Sequence, residues 1–154
     1  MDEAAGVPEG YARLTLPPSE YLGRNGPFYA KRANGEIWIG MRIEPKHANA
    51  MGIAHGGLVT TLADVVLTVG SNLHAGLSRF LTTVNLSCDF IGPARVGAWI
   101  EARVEVMRTT KTLVFTRAVL QEPGGAAVAR VSGILLMRGE SDARFSAERY
   151  FGPE

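Results

Sequence analysis

The sequence predicts an α+β fold in which an antiparallel sheet of about six strands wraps around one long central helix. Strand-like runs, in which apolar and polar side chains alternate, stand on both sides of a single long helical stretch. That stretch is apolar on nearly all sides, so we expect it to be buried on nearly all sides. The length of 154 residues suits one domain with a core of its own.

The region before the central helix is expected to contain a short helix and a β-hairpin. Ser19 is the predicted N-cap of the short helix, which ends at Gly26-Pro27. Two strands are predicted next, over residues 28–32 and 36–44. Asn34-Gly35 between them is a strong signal for a tight hairpin turn.

The central helix is predicted from Gly56 to about Leu73. The later strands are predicted over Phe80–Phe90, Trp99–Arg108, Thr112–Gln121 and Ala126–Met137. Because the connections between them are short, neighbouring strands should pair antiparallel. The chain divides into an N-terminal extension (1–25), the helix-and-sheet domain (26–138) and a polar C-terminal tail (139–154). We expect the tail to be loosely held.

Composition narrows the class of protein. The formal net charge of +1 predicts neither a nucleic-acid partner nor attraction to an anionic membrane. Cys88 is the one cysteine, so no intrachain disulfide can form, which fits a reducing compartment. The acidic N-terminus is unlike a signal peptide, and polar residues interrupt the apolar stretch from 58 to 69. We therefore predict a cytoplasmic protein that does not enter a membrane.

His55-Gly56-Gly57 lies where a loop enters the central helix. The first turn of a helix has unpaired N–H groups, and these together with the helix dipole favour negative charge. Glycine at positions 56 and 57 leaves the donors open to a ligand, such as a thioester oxygen that gains charge during attack. The glycines have a second explanation, that they only permit a tight turn. The motif alone does not decide between the two.

Asp64 lies within the apolar helix, about two turns past its start, where it cannot act as a cap. A carboxylate at such a position needs a partner or a function. Gly57 and Asp64 share a helix face but are about 10 Å apart along the axis. Two antiparallel helices packed across a two-fold axis would bring Gly57 of one chain to Asp64 of the other. The sequence therefore predicts a homodimer with two shared sites.

The remaining candidates are polar residues before the helix or at the start of the third predicted strand (Asn49, His55, Thr82, Thr83). The Asn49 amide can orient water or substrate, and a threonine hydroxyl can hold a water molecule. Strand propensity alone also explains both threonines. His47 and His74 show no partner and are expected at the surface. Because no set of residues has metal-ligand spacing, no metal is expected.

The pattern Asn49-x5-His55-Gly56-Gly57-x6-Asp64, with residues 89–94 (DFIGPA) ending a long strand, resembles the acyl-CoA thioesterases of the hotdog superfamily. The groups it resembles most are the PaaI-like phenylacetyl-CoA thioesterases and the thioesterase superfamily member 2 type. The resemblance runs from about Ile37 to Met137. It implies a hotdog fold and homodimers that assemble into homotetramers.

The resemblance also implies roles for particular residues. Asp64 would be the nucleophile or general base, and the N–H of Gly57 would polarise the thioester carbonyl. Substrate and water would be positioned by residues around them (Asn49, His55, Gly56, Thr83 and its neighbour Thr82). Coenzyme A phosphates would lie on basic residues near the subunit edge (Arg95, Arg108, Lys111). The N-terminal 25 residues, which the resemblance covers least, are expected to line the acyl pocket.

The predicted function is hydrolysis of an acyl- or aryl-CoA thioester to the free acid and CoA. No cofactor is expected beyond the coenzyme A of the substrate. One alternative is a hotdog enoyl-CoA hydratase or dehydratase, in which His55 and Asp64 act as an acid/base pair. The other is a non-catalytic acyl-CoA-binding protein, although binding alone does not explain a carboxylate at position 64.

Overall fold

A computed structural model describes residues 6–152, so the first five residues of the N-terminal extension and the last two of the tail lie outside the described residues. The helices are α1 (Glu20–Asn25), α2 (Gly56–Ala75) and α3 (Ala147–Phe151). The strands are β1 (Ala12–Arg13), β2 (Tyr29–Ala33), β3 (Glu36–Arg42), β4 (Phe80–Phe90), β5 (Trp99–Arg103), β6 (Glu105–Thr109), β7 (Leu113–Gln121) and β8 (Ala127–Arg138). Short 3-10 turns cover Pro45–His47 and Ala143–Phe145.

The strands form one antiparallel sheet in the order β1-β2-β3-β5-β7-β8-β4, with β6 paired to β7. This sheet wraps α2, which packs against β3, β4, β7 and β8. The predicted α+β architecture is therefore confirmed. The strand β4, with 11 residues, lies at one edge of the sheet, and within residues 6–152 its one neighbouring strand is β8.

The sheet has eight strands where about six were expected. One extra strand is the two-residue β1, which extends the sheet beyond β2. The other arises because the predicted strand Trp99–Arg108 is broken at Val104, whose N–H bonds to the carbonyl of Ile37. Beyond the break the chain leaves β3 and pairs with β7 as β6. Apolar alternation continues through such a break, so the pattern did not reveal it.

The hairpin between β2 and β3 turns at Asn34-Gly35, as predicted. Ala33 pairs with Glu36, and the two turn residues have φ values of 53° and 77°. Such a two-residue turn with both φ values positive is the type that asparagine and glycine favour. The predicted N-cap is also confirmed, because the Ser19 side chain accepts a hydrogen bond from the N–H of Leu22.

The C-terminal tail is held against the domain, so the expectation of a loose tail is wrong for its described part. Tyr150 of α3 is only 2% exposed, and its carbonyl accepts a hydrogen bond from the N–H of Thr15. Burial raises the pKa of Tyr150 to about 12, although a hydrogen bond with Asn72 opposes the shift. The aromatic side chain gives this polar segment enough apolar surface to dock.

Helix α2 is buried along most of its length, as its composition predicts. It is long and apolar enough to pass a test for a membrane-spanning helix, a test that core helices of soluble proteins pass as well. In the structure 72% of the tested window is buried inside the protein. The residues of α2 that stay partly open, apart from its last turn, form one stripe (Gly56, Gly57, Thr60, Asp64, Thr68).

Candidate active site

His55 is the N-cap of α2, and its imidazole ring takes the place of the usual serine or aspartate oxygen. The ring nitrogen Nδ1 accepts a hydrogen bond from the N–H of Gly57 at 3.0 Å. Because Nδ1 is an acceptor in this bond, the proton of the neutral ring is on Nε2. His55 itself is exposed, so Nε2–H can donate to a ligand.

This contact changes the expected set of free donors at the start of α2. The N–H of Gly57 is taken by the His55 ring, and the N–H groups of Leu58 and Val59 bond to the carbonyl of His55. Within residues 6–152 no hydrogen bond is found for the N–H of Gly56. A ligand oxygen therefore meets one open N–H, at Gly56, and reaches the Gly57 N–H only by displacing the imidazole.

Asp64 is half-buried on the open stripe and has a specific partner on the neighbouring strand. The hydroxyl of Thr83 in β4 donates to Asp64 Oδ1 at 2.5 Å. This bond fixes the carboxylate and leaves Oδ2 available, because no described residue is hydrogen-bonded to it. A charge-assisted hydrogen bond of this kind is about twice as strong as one between neutral groups.

The threonines of the open stripe do not offer free hydroxyls. Thr60 donates to the carbonyl of Gly56 at 2.9 Å, and Thr68 donates to the carbonyl of Asp64 at 2.7 Å. Their polar groups are therefore satisfied within the helix. Among the described residues, the carboxylate of Asp64 and the N–H of Gly56 are the polar groups of this stripe that remain for chemistry.

Asn49 shapes the loop that leads into α2. Its side-chain Oδ1 accepts the N–H of Met51 at 2.9 Å, and its own N–H bonds to the carbonyl of Ile53. The predicted role in holding water or substrate would have to use the amide Nδ2, for which no partner is found among the described residues.

His47 is buried, so the expectation of a surface histidine is wrong. It is 3% exposed, its Nδ1 accepts the N–H of Glu44 at 2.9 Å, and its carbonyl accepts the N–H of His55. Burial lowers the pKa of His47, as does the Lys46 ammonium, while Glu44 and the backbone of Asn25 and Gly26 oppose this. The loop before α2 folds back on itself, which the sequence pattern did not indicate. His74 is exposed, as expected.

The other predicted residues are spread over the chain. Thr82 neighbours Thr83 on β4, so strand alternation directs its side chain to the outer face, away from α2. Arg95 is bridged to Ile53, near the start of α2. Arg108 and Lys111 belong to the β6–β7 hairpin, which follows Val104, a residue packed against Gly70 towards the end of α2. Within one chain Arg95 therefore lies near the start of α2, whereas the hairpin follows a contact near its end.

Metal binding and thiol chemistry would each need other side chains. Within the described part of the chain, no group of three or more His, Cys, Asp or Glu side chains can hold a metal ion. Burial raises the pKa of the Cys88 thiol, with a contribution from Asp89, while a hydrogen bond with Thr60 works against this. A thiol with a raised pKa is a poor nucleophile, so Cys88 is best explained as a strand residue.

Sequence comparison points to one family. Residues 51–129 match the sequence model of the thioesterase superfamily. A protein of Pseudomonas aeruginosa that is named as an esterase is 38% identical over 129 residues, which is 83% of this chain and 95% of that protein. Human acyl-coenzyme A thioesterase 13 is 33% identical over 84 residues, which is 54% of this chain and 59% of that protein.

Solved structures show the same architecture. The PaaI protein of Escherichia coli, from the phenylacetic acid degradation operon, superposes with a TM-score of 0.66 at 18% identity. The match covers 74% of this chain and 81% of PaaI. A protein of Streptococcus mutans solved with acetyl CoA bound gives 0.63 at 18% identity, over 70% of this chain and 85% of that one.

Proposed function

This chain belongs to the thioesterase superfamily and hydrolyses acyl-CoA thioesters, and we propose that each of its active sites is completed by a second copy of the chain. The sheet wrapped around α2 is the hotdog fold of this family. Family membership leaves open how the groups on α2 come together, which of them acts on the thioester, and where coenzyme A lies.

The observation that carries the proposal is the open stripe on α2. Gly57 and Asp64 lie on that stripe seven residues apart, and a separation of seven residues spans about 10 Å along a helix axis. A thioester carbonyl is too small to touch both groups of one chain. An antiparallel α2 from a second chain would bring the partner's Asp64 to Gly57. The two-fold symmetry would repeat the same contact at a second, equivalent site.

The edge strand β4 supports a homodimer of this kind. It is 11 residues long, and its outer edge leaves backbone N–H and C=O groups without a neighbouring strand among the described residues. Long unprotected edges tend to pair with another chain. Val84 and Phe90 of this strand expose 54% and 59% of their surface, which a second β4 would cover. We propose pairing of the two β4 edges, and assembly of such dimers into a tetramer.

In the proposed reaction the carboxylate of Asp64 acts on the carbonyl carbon either directly or through water. In the water route, Oδ2 takes a proton as the water oxygen bonds to the carbon, and the C–S bond then breaks to release CoA and the acid. In the direct route, Oδ2 bonds to the carbon and expels the thiolate, and water hydrolyses the resulting anhydride. In both routes Thr83 holds the carboxylate in place.

The carbonyl oxygen of the substrate is proposed to bind at the start of α2. The open N–H of Gly56 is one donor, and displacement of the His55 ring would release the N–H of Gly57 as another. A donor of this kind at the oxyanion is typically worth about 10²–10³ in rate. The displaced imidazole would keep its Nε2–H for the substrate, and Asn49 Nδ2 is the group proposed to hold the water.

Coenzyme A is proposed to lie across the dimer. Arg95 lies near the start of α2, whereas Arg108 and Lys111 are on the β6–β7 hairpin, which follows the contact of Val104 with Gly70 near the end of α2. Antiparallel packing of two α2 helices would bring Arg95 of one chain towards the hairpin of the other, so the phosphates would bind between subunits. We also propose a cytoplasmic location, where acyl-CoA is present. The single cysteine, with its raised thiol pKa, agrees with a reducing compartment.

The experiment is a thiol-release assay with short, long and aromatic acyl-CoAs on wild-type protein, Asp64→Asn and the control Glu36→Gln. Glu36 forms an exposed ion pair with Arg103 on β3 and β5, and three strands separate β3 from the edge strand β4. We expect Asp64→Asn to lose at least about 10²-fold in kcat, because the amide can neither attack nor take a proton, and Glu36→Gln to stay near wild type. Near wild-type turnover by Asp64→Asn would remove Asp64 from the mechanism.

A further inference from the structure

We propose that Tyr21, from the N-terminal extension, is a specificity-determining residue that forms one wall of the acyl-binding cleft and favours aromatic and other apolar acyl groups. This inference rests on the proposed function, because it assigns a part of the same site. A hydrogen bond joins the two elements concerned, α1 and α2, which are far apart in sequence.

The phenol of Tyr21 is tethered to the central helix. Its hydroxyl lies 2.6 Å from Thr61 Oγ1, which in turn donates to the carbonyl of Gly57 at 2.9 Å. Since the Thr61 proton is used in that bond, Tyr21 is the donor in the first one. Thr61 is buried, so the tip of the tyrosine enters the protein surface beside α2.

The tether lies at the level of the proposed cleft. Thr61 follows Gly57 by four residues and precedes Asp64 by three, so the tyrosine tip meets α2 about 6 Å along the axis from one and about 4.5 Å from the other. In the proposed dimer each of those two residues belongs to one of the two shared sites, so the tyrosine tip lies between the sites and close to both. The tyrosine is thus neither at the far end of the helix nor behind it.

The tyrosine lies across the open stripe from the edge strand. On one side of the stripe, Asp64 is bonded to Thr83 of β4. On the other side, Thr61 is bonded to Tyr21 of α1. Around the helix, Thr61 and Asp64 differ by about 60° (three residues at 100° each), so they flank the line that runs through Gly57. The stripe therefore lies between β4 and Tyr21, which would form the two walls of the proposed cleft.

The ring is fixed in position but not covered. Tyr21 is 59% exposed although its hydroxyl is tethered. Its helix is held by the Ser19 N-cap and by Asn25 Nδ2, which donates to the Tyr21 carbonyl at 2.8 Å. Leu22 of the same helix packs on the core. An aromatic face that is already ordered binds an apolar partner without losing further side-chain entropy.

These features point to the class of acyl group. A tyrosine face offers area and edge-to-face or stacked contacts to a phenyl ring, and apolar area to an alkyl chain, but almost nothing to an acetyl group. Such contacts are worth about tenfold in kcat/KM for an acyl group that reaches the ring. The wall should therefore separate phenylacetyl-CoA and octanoyl-CoA from acetyl-CoA.

The test compares Tyr21→Ala, Tyr21→Phe and the control Arg24→Ala by kcat/KM for acetyl-, octanoyl- and phenylacetyl-CoA, with the molar mass of each variant from light scattering. Arg24 lies on the exposed side of α1, where it pairs with Glu20. We expect the phenylacetyl-to-acetyl ratio to fall about tenfold in Tyr21→Ala, less in Tyr21→Phe, which keeps the ring, and not at all in Arg24→Ala. All three variants should keep the wild-type mass.

Other outcomes overturn the inference. An equal loss for every substrate, or a changed molar mass in Tyr21→Ala, would make Tyr21 a structural or interface residue. An unchanged ratio would remove it from the cleft. Failure of the proposed function is distinguishable, since wild-type protein would then release no thiol from any of the three substrates.

Discussion

The hydrogen bond between Thr83 and Asp64 gives the sharpest prediction about the chemistry. Thr83→Val keeps the size and shape of the side chain but removes the hydroxyl that lies 2.5 Å from Asp64 Oδ1. A hydrogen bond to a charged group contributes about 1.5–3 kcal/mol. Since about 1.4 kcal/mol corresponds to tenfold in rate, losing it in the transition state should lower kcat about 10- to 100-fold.

The assay is steady-state thiol release on Thr83→Val, Thr83→Ser and the neighbouring control Thr82→Val. Thr83→Ser keeps a hydroxyl and should recover most of the activity. Thr82→Val changes the same kind of residue on the opposite face of the same strand and should have little effect. KM should change little in Thr83→Val because its hydroxyl bonds the carboxylate rather than the acyl-CoA. Full kcat in Thr83→Val, or an equal loss in Thr82→Val, would refute the reasoning.

Two further predictions concern the loop and cap at the start of α2. His55→Ala should lower the unfolding free energy by about 1 kcal/mol, because the N-cap acceptor for the Gly57 N–H is lost. His55→Asn keeps an acceptor and should retain most of the wild-type stability. Equal unfolding free energies of the two variants in urea would argue against the cap. Burial lowers the pKa of His47, so folding favours the neutral ring. The contribution of this ring to stability is therefore fully present above 6.5, the ordinary pKa of histidine. The unfolding free energy should therefore decline as pH falls below 6.5. It should decline less in His47→Asn, which keeps an acceptor for the Glu44 N–H. Identical pH profiles of wild-type protein and His47→Asn would show that His47 does not cause the decline.

The parts of the fold that the sequence predicts are those set by local pattern. An apolar helix with Asp64 on it, a hairpin at Asn34-Gly35 and the cap at Ser19 all follow from residues near one another in the chain. The docking of the C-terminal tail was not predicted, because it depends on contacts of Tyr150 with residues far away in sequence. The break at Val104 was not predicted either, because the partner strand changes there while the apolar alternation continues.

In the candidate site, too, the features set by local spacing were predictable and the long-range contacts were not. Spacing alone indicated that Gly57 and Asp64 share a helix face. Which of two adjacent threonines meets Asp64 depends on the register of β4 against α2, which a strand pattern does not fix. The His55 ring on Gly57 depends on a side-chain rotamer, and the tether of Tyr21 to Thr61 joins residues 40 positions apart. An aromatic residue in a short helix gives no local signal of such a contact.

The central claim is that Gly57 of one chain works with Asp64 of another, and mixed dimers test it most directly. Asp64→Ala and Gly57→Val, each inactive alone, are co-expressed with different affinity tags, and dimers carrying both tags are purified. In such a dimer one site receives both intact groups and the other receives neither, so about half of the wild-type activity should return. Confirmed mixed dimers that remain inactive would contradict a site shared between subunits.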